Sequence, residues 1–329
     1  MDAGHYRLCT AAGLLLQLIG VFMTSISTRY WQLMLAQGIC QGIGNGLLFC
    51  SAVANVATYF SARRRALAVS CVACGGATGG MIFPAIAQSL LHRIGFGWTL
   101  RVMGLVMLFN SILIVLFSKT RLLQRPAAPL LDWAAFKDPT FVLYSLGIFL
   151  VFLGIWIPYY FIRPFAVGVL NSSQKTSFDL LLVLNGVGVP GRLIPALLSD
   201  KFFGPVNVLF VSSIFAGILS FCWIAVDSTG TLYVWDIVFG FAAGSIQALT
   251  LASASSFTPD MTKIGSRVGL AFIALGLAGL CGPPSGGALI NDGDYFLAQV
   301  FSGSAMLAGS IALAVARLVQ TGPHLKRRV

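Results

Sequence analysis

Long, almost uncharged apolar runs alternate with short polar gaps along the whole chain. A transmembrane helix needs about 20 mostly apolar residues. Ten runs meet that pattern: 8–28, 32–58, 66–91, 97–117, 138–170, 174–197, 206–226, 231–257, 267–290 and 294–317. They are continuous, without the apolar–polar alternation of a barrel wall, so the elements they predict are helices. The first run follows Arg7 as a signal peptide would follow a base. It is too long for an h-region, however, and Arg29-Tyr-Trp is not a small-residue cleavage site. The pattern predicts an all-α polytopic membrane protein with ten transmembrane helices.

Composition agrees. Of 329 residues 57% are hydrophobic and 9% charged, where a soluble domain carries about a quarter charged residues. There is no Glu, and all ten acidic residues are Asp. The abundance of Phe (25) and Gly (36) suits helices packed closely in lipid. A net charge of +11 raises a nucleic-acid reading. It fails because the positive charges sit in the gaps between apolar runs. Alternate spans divide the bases between two sides. Fifteen fall on one: Arg7, Arg63 to Arg65, Lys119, Arg121, Arg125, Lys137, Lys201, Lys263, Arg267, Arg317 and Lys326 to Arg328. Five fall on the other, namely Arg29, Arg93, Arg101, Arg163 and Lys175, and Arg192 alone lies inside a span. The positive-inside rule puts both termini and the 118–137 loop in the cytoplasm.

The runs also repeat. Spans beginning at 8, 32, 66 and 97 answer spans beginning at 206, 231, 267 and 294, at offsets of 198, 199, 201 and 197 residues. Gly42-x-x-x-Gly46 recurs as Gly240-x-x-x-Gly244, and Pro84 is answered by Pro283 and Pro284. Internal repeats of this kind are characteristic of transporters. Spans 138–170 and 174–197 have no counterpart. The expectation is therefore a 4 + 6 arrangement, N-terminally incomplete by two helices. Its parts are an incomplete four-helix bundle (1–117), a cytoplasmic linker (118–137), a six-helix bundle (138–317) and a basic cytoplasmic tail (318–329). The loop Asp200-Lys201-Phe-Phe-Gly204 has its equivalent in Asp2-Ala-Gly4-His-Tyr-Arg7. An acid, a glycine turn and a base at helix boundaries can clamp neighbouring helix ends.

Three stretches carry a family resemblance: Tyr59-Phe-Ser-Ala-Arg63-Arg64-Arg65-Ala-Leu-Ala with Gly75-Gly76-x-x-Gly79-Gly80-x-Ile-Phe-Pro84; Asn185-Gly-Val-Gly-Val-Pro-Gly191-Arg192-Leu-Ile-Pro195 with Asp200 and Gly204-Pro205-Val-Asn207; and Ile264-Gly265-Ser-Arg267-Val-Gly269 with Gly282-Pro283-Pro284-Ser-Gly286-Gly287. In order and spacing they resemble the fungal monocarboxylate-porter-like branch of the major facilitator superfamily, helices three to twelve of a twelve-helix fold. The resemblance implies an arginine at the position of Arg192 that binds a substrate carboxylate. Better-characterised members carry an acid one turn earlier, where this chain has Gly188.

The residues themselves support a binding role for Arg192. An ionisable group within a membrane span is expensive and marks function by default, and a guanidinium holds a carboxylate through two parallel bonds. Snorkelling is the competing reading, five residues from the cytoplasmic end of the span. Asn185 lies two turns earlier on the same face. Asn45, with Gln41 one turn before it, is a second amide candidate, although intramembrane amides more often tie helices together. Gly42, Gly46, Gly75, Gly79, Gly240, Gly244, Pro84, Pro283 and Pro284 are read as helix-packing or gating positions, and Pro84, Pro158, Pro164, Pro190 and Pro195 as bends suited to a cavity. Gly75-Gly-Ala-Thr-Gly-Gly lacks the Lys-Ser/Thr of a phosphate loop. Arg63 to Arg65 suit anionic lipid, and Arg163 and Lys175 suit interfacial anchoring. Cys71-x-x-Cys74 sits on an apolar helix, and seven scattered cysteines with three histidines give no metal-ligand cluster. Asp179 and Asp236 stand near outer helix ends. No hydrolase constellation is visible, so neither an enzyme, a cofactor nor a nucleic-acid partner is expected.

The chain is thus expected to be a secondary transporter in the lipid bilayer. It would move a small organic anion or secondary metabolite by alternating access, at the plasma membrane or else the vacuolar membrane. The competing expectation is a transport-inactive truncated relic or a membrane interaction protein.

Overall fold

The structure is a computed structural model that describes residues 6–60, 64–119, 133–257, 264–291 and 293–322. The described residues are helical apart from turns and one isolated bridge between Asn291 and Asp294. The helices are α1 (Tyr6–Ile26), α2 (Tyr30–Leu33), α3 (Gln41–Tyr59), α4 (Arg65–Phe117), α5 (Pro139–Gly168), α6 (Gln174–Leu198), α7 (Pro205–Cys222), α8 (Thr229–Ser256), α9 (Ile264–Ala288) and α10 (Phe296–Thr321). A π-helical stretch, Met34–Cys40, joins α2 to α3.

Among the described residues nine helical runs are long and apolar enough to cross a membrane. One of them, α4, has 53 residues. At about 1.5 Å per residue it would measure roughly 80 Å, far more than the ~30 Å hydrocarbon core. The chain resolves this at Gly95, whose φ of 77° and ψ of 172° break the helix. Only glycine adopts that conformation without strain. The break divides α4 into two segments that match the spans expected at 66–91 and 97–117, so ten candidate spans result among the described residues.

The chain divides into two compact units, Met1–Ser61 with Ile82–Ala128 and Ala62–Met81 with Pro129–Val329. In the first, α1 and α3 approach through Gly13, Gly20 and Gly44. A methyl group on Gly44 would stand 2.8 Å from the Gly13 carbonyl oxygen. One end of this unit is tied by the Tyr6 and Ser118 hydroxyls at 2.7 Å, and by Asn55 and Tyr59, which both donate to the Lys119 carbonyl at 3.1 Å.

The second unit holds an extended core of Phe, Ile, Leu and Ala from α5 to α10. One end of it is an aromatic cluster. Trp223 stacks on Trp235, Trp235 stacks on Phe239, and Phe165 stands edge-on to both Trp223 and Tyr295. At the other end Asp138 caps α5, accepting from Thr140 N at 3.1 Å and Phe141 N at 3.4 Å. Arg267 of α9 closes on the same carboxylate at 3.0 Å and lies over the Phe141 ring.

Candidate functional site

The charged group placed by sequence inside a span is buried. Arg192 of α6 is 3% exposed. Its Nη1 donates to the Gly188 carbonyl at 2.9 Å, and its Nη2 donates to the Gln247 side-chain oxygen on α8. Both acceptors are neutral. Its Nε is buried without a hydrogen-bond partner among the described residues. Snorkelling towards the helix end does not describe this side chain, which turns back along its own helix and across to α8. Gly188 makes that turn feasible, because a methyl group there would meet Arg192 Nη1 at 2.6 Å.

Glycines bring the two helices this close. A methyl group on Gly240 would lie 2.8 Å from the Leu184 carbonyl oxygen. One on Gly244 would lie 2.5 Å from the Gly188 carbonyl oxygen and 3.0 Å from its Cα. Asp236, Gly240, Gly244 and Gln247 follow one another at spacings of four, four and three residues, so they form a single stripe on α8. With Gly244 set against Gly188, Gln247 falls one turn further along, opposite Arg192. The sequence carried that signal in the glycine spacing, but Gln247 was not singled out.

Helix α5 adds a third element beside this pair. The Tyr159 hydroxyl is buried near the Arg192 guanidinium and the Gln247 amide without meeting hydrogen-bond geometry to either. Trp156, one turn earlier, stands edge-on to Tyr159 and Tyr160 at centroid distances of 5.8 and 6.4 Å. Its indole Nε1 is also buried and unpartnered among the described residues. The arrangement therefore joins a buried cation to aromatic surface and to spare hydrogen-bond donors. That chemistry suits an organic anion with a flat apolar body.

The remaining candidates divide. Asn185 donates to its own Leu181 carbonyl at 2.9 Å and lies against Gly80 of α4. Asn45 in the first unit is exposed and accepts from Gln17 at 2.8 Å, while Gln41 is half-buried against Gly20. Among the described residues, no atom beyond the adjoining helix backbone lies within 4 Å of a methyl group placed on Gly42, Gly46 or Gly75. Gly79 and Pro84 lie within α4, and Pro283 and Pro284 within α9.

Asp2 and Gly4 lie outside the described residues, and Arg7 is exposed. In the corresponding loop Asp200 accepts from Ala66 N at 3.2 Å and Leu67 N at 2.9 Å, capping the N-terminus of α4. Lys201 is exposed, and Gly204, at φ 82°, turns the chain into α7. Three residues that matter were not among the sequence candidates: Gln247, Tyr159 and the α5 cap Asp138. Only the Asp138-Pro139-Thr140 sequence, which reads as a helix start, could have flagged the last.

Comparison with known proteins gives one consistent result. Residues 2–235 match the family model described as Major Facilitator Superfamily. An MFS-type transporter of Gibberella zeae is 39% identical over 97% of this chain and 73% of its own length. The agnestins efflux protein AgnL12 of Paecilomyces divaricatus is 31% identical over 97% of this chain and 73% of its own. The aspyridones efflux protein apdF of Emericella nidulans is 32% identical over 92% of this chain and 62% of its own. Among solved structures, the human organic anion transporter MFSD10 superposes with a TM-score of 0.77 at 13% identity, over 95% of this chain and 78% of that one. The E. coli fucose:proton symporter FucP gives 0.72 at 15% identity, over 96% and 85%. These two likenesses establish the fold.

Proposed function

The chain belongs to the Major Facilitator Superfamily, and from that premise we propose that it moves a small organic anion, of the secondary-metabolite class, across a membrane by alternating access. The observation that carries the reading is Arg192, a buried guanidinium whose bonds go only to neutral acceptors. A buried charge without a counter-charge is costly. A bound anion removes that cost, so the site favours an anionic occupant over a neutral one.

Trp156 and Tyr159 favour an occupant with an aromatic or otherwise flat face. Two of the relatives are named as efflux proteins for secondary metabolites, which supports export as the direction. The monocarboxylate-like branch remains the sequence-based proposal, modified by Gly188. The distribution of bases supports cytoplasmic termini, and a plasma-membrane carrier is the proposed setting.

The test is uptake by proteoliposomes of benzenesulfonate, an aromatic anion that stays ionised and crosses lipid poorly. The wild-type chain should take it up saturably. Truncating one partner of a buried charge pair costs about 2–5 kcal/mol, so Arg192→Ala should weaken half-saturation by at least about thirtyfold. Arg192→Lys should retain part of the activity, since it keeps the charge and loses the fork. Equal uptake by wild type and Arg192→Ala would reject the site.

A further inference from the structure

Each unit carries an apolar groove on its surface. The first, of about 340 Å³, lies where α1 meets α2 and the π-helical stretch Met34–Cys40. The second, of about 440 Å³, lies where α7 meets α8. Eight of the nine residues lining the second stand 199 residues after a residue lining the first, as Cys222 does after Met23, Ala225 after Ile26 and Val234 after Leu35. The repeat has therefore made the same groove twice. The second unit holds more spans than the first and leaves its groove open as well, so the opening is a property of the repeat.

The first groove starts at the connection between two spans and runs back along α1 from Ile26 to Ile19, roughly 10 Å of helix rise. Ile19, Met23, Ile26 and Leu35 are exposed along it. An apolar surface of this kind on a membrane-spanning chain takes lipid chains or another helix.

The mouth of the groove selects the lipid. Arg29, Tyr30 and Trp31 stand there, all exposed. The Gln32 side-chain oxygen accepts from Thr28 N at 2.9 Å and Arg29 N at 3.1 Å, which folds the connection while the Arg29 side chain stays outside it. Asp2 is the only acid in the first 131 residues, so no acid of the first unit follows α1. Gly97 of α4 packs on the Ser25 carbonyl, where a methyl group would stand 2.9 Å from the oxygen, and this brings Arg93 and Arg101 to the same end. Arginines with no acid of their own unit beside them, next to exposed aromatic rings, suit a lipid phosphate at the membrane face.

The second groove lacks these features. At the same offset Ser228 answers Arg29 and Gly230 answers Trp31, with Asp227 exposed beside them. Its wall on α8 is regular α-helix where the first groove has π-helix. π-Helical turns are rare and recur at functional sites.

We infer that the α1–α2 groove is a binding site for an anionic glycerophospholipid. One acyl chain lies between α1 and the π-helical stretch, and the phosphate rests on Arg29. The α7–α8 groove takes lipid chains without that preference, because Asp227 repels the same head group.

The test uses the full chain in phosphatidylcholine vesicles that contain a minor share of brominated phosphatidylglycerol or brominated phosphatidylcholine, with bromine close to the ester end of the chain. Bromine quenches tryptophan at contact, and wild type minus Trp31→Phe isolates the Trp31 signal. One base near the head groups corresponds to about a fivefold preference, so brominated phosphatidylglycerol should quench Trp31 about five times more effectively. Arg29→Ala, at an exposed position, should remove the preference, and Arg29→Lys should keep most of it because the charge remains. Val234→Trp, read against wild type, places a reporter at the matching point of the second groove and should show no preference. Equal quenching of Trp31 by the two lipids overturns the proposal. So does a preference that survives Arg29→Ala, or one equally strong at Val234→Trp, since either would arise from general surface charge.

Discussion

α3 and α8 carry the same glycine pair at the repeat offset, and among the described residues only the pair on α8 is covered by another helix. Gly240 and Gly244 are covered by the Leu184 and Gly188 carbonyls of α6, whereas among the described residues no atom beyond the adjoining helix backbone lies within 4 Å of a side-chain position on Gly42 or Gly46. In the most apolar window of α8, 78% of residues are buried, against 11% in the run Tyr30–Val53. The helix that covers α8 is one of the two spans without a counterpart in the repeat. At the 198-residue offset of the glycines, Asp236 answers Gly38 and Gln247 answers Phe49. The packing device is therefore duplicated while the polar chemistry is not. A repeated small-residue motif specifies a face onto which a helix can close, and the site arises where one closes and polar groups flank it.

The sharpest way to break this contrast is a matched pair of substitutions. Gly244→Leu should destabilise the protein by about 3 kcal/mol or more, because α6 backbone occupies the space and cannot yield as a side chain would. Gly46→Leu should stay within about 0.5 kcal/mol. Thermal unfolding in detergent reads both, and equal losses would mean that the two faces are not different. Next in size, Gln247→Leu should cost about 2 kcal/mol by leaving a buried guanidinium one acceptor short. Phe49→Leu at the equivalent place should cost less than about 1.5 kcal/mol, and the same melts compare them. A smaller effect is expected outside the stripe. Asp200→Ala removes the cap on α4 and should cost about 1 kcal/mol, while Asp200→Asn keeps an acceptor and should lose less. Hydrogen exchange at the Ala66 and Leu67 amides reports that loss locally.

Much of the fold was legible because membrane helices announce themselves by length and apolarity, which depend on no tertiary contact. Even the division of α4 was readable, since the polar gap His92-Arg93-Ile-Gly95 separates two runs and the break falls at Gly95. Arg192 was legible for the same reason, as a charge where none is affordable. What stayed hidden depends on which helix meets which face. Gln247 is an ordinary intramembrane amide until α6 is placed against Gly240 and Gly244. Asp236 reads from sequence as a residue near an outer helix end, and only the packing of the second unit buries it. Asn185 shares the helix and face of Arg192 and was a further candidate for a ligand, although an interhelical tie is the commoner role of such an amide. Its amide is instead bonded to its own helix at Leu181, with Gly80 against it.

The central claim is that Arg192, held by neutral acceptors, is an anion site. Calorimetric titration of the purified protein in lipid nanodiscs with benzenesulfonate tests it most directly, with Arg192→Ala titrated beside it. The account predicts saturable binding at one site in wild type and its loss in the variant, with both proteins melting as folded chains. Binding that survives unchanged in Arg192→Ala would contradict it.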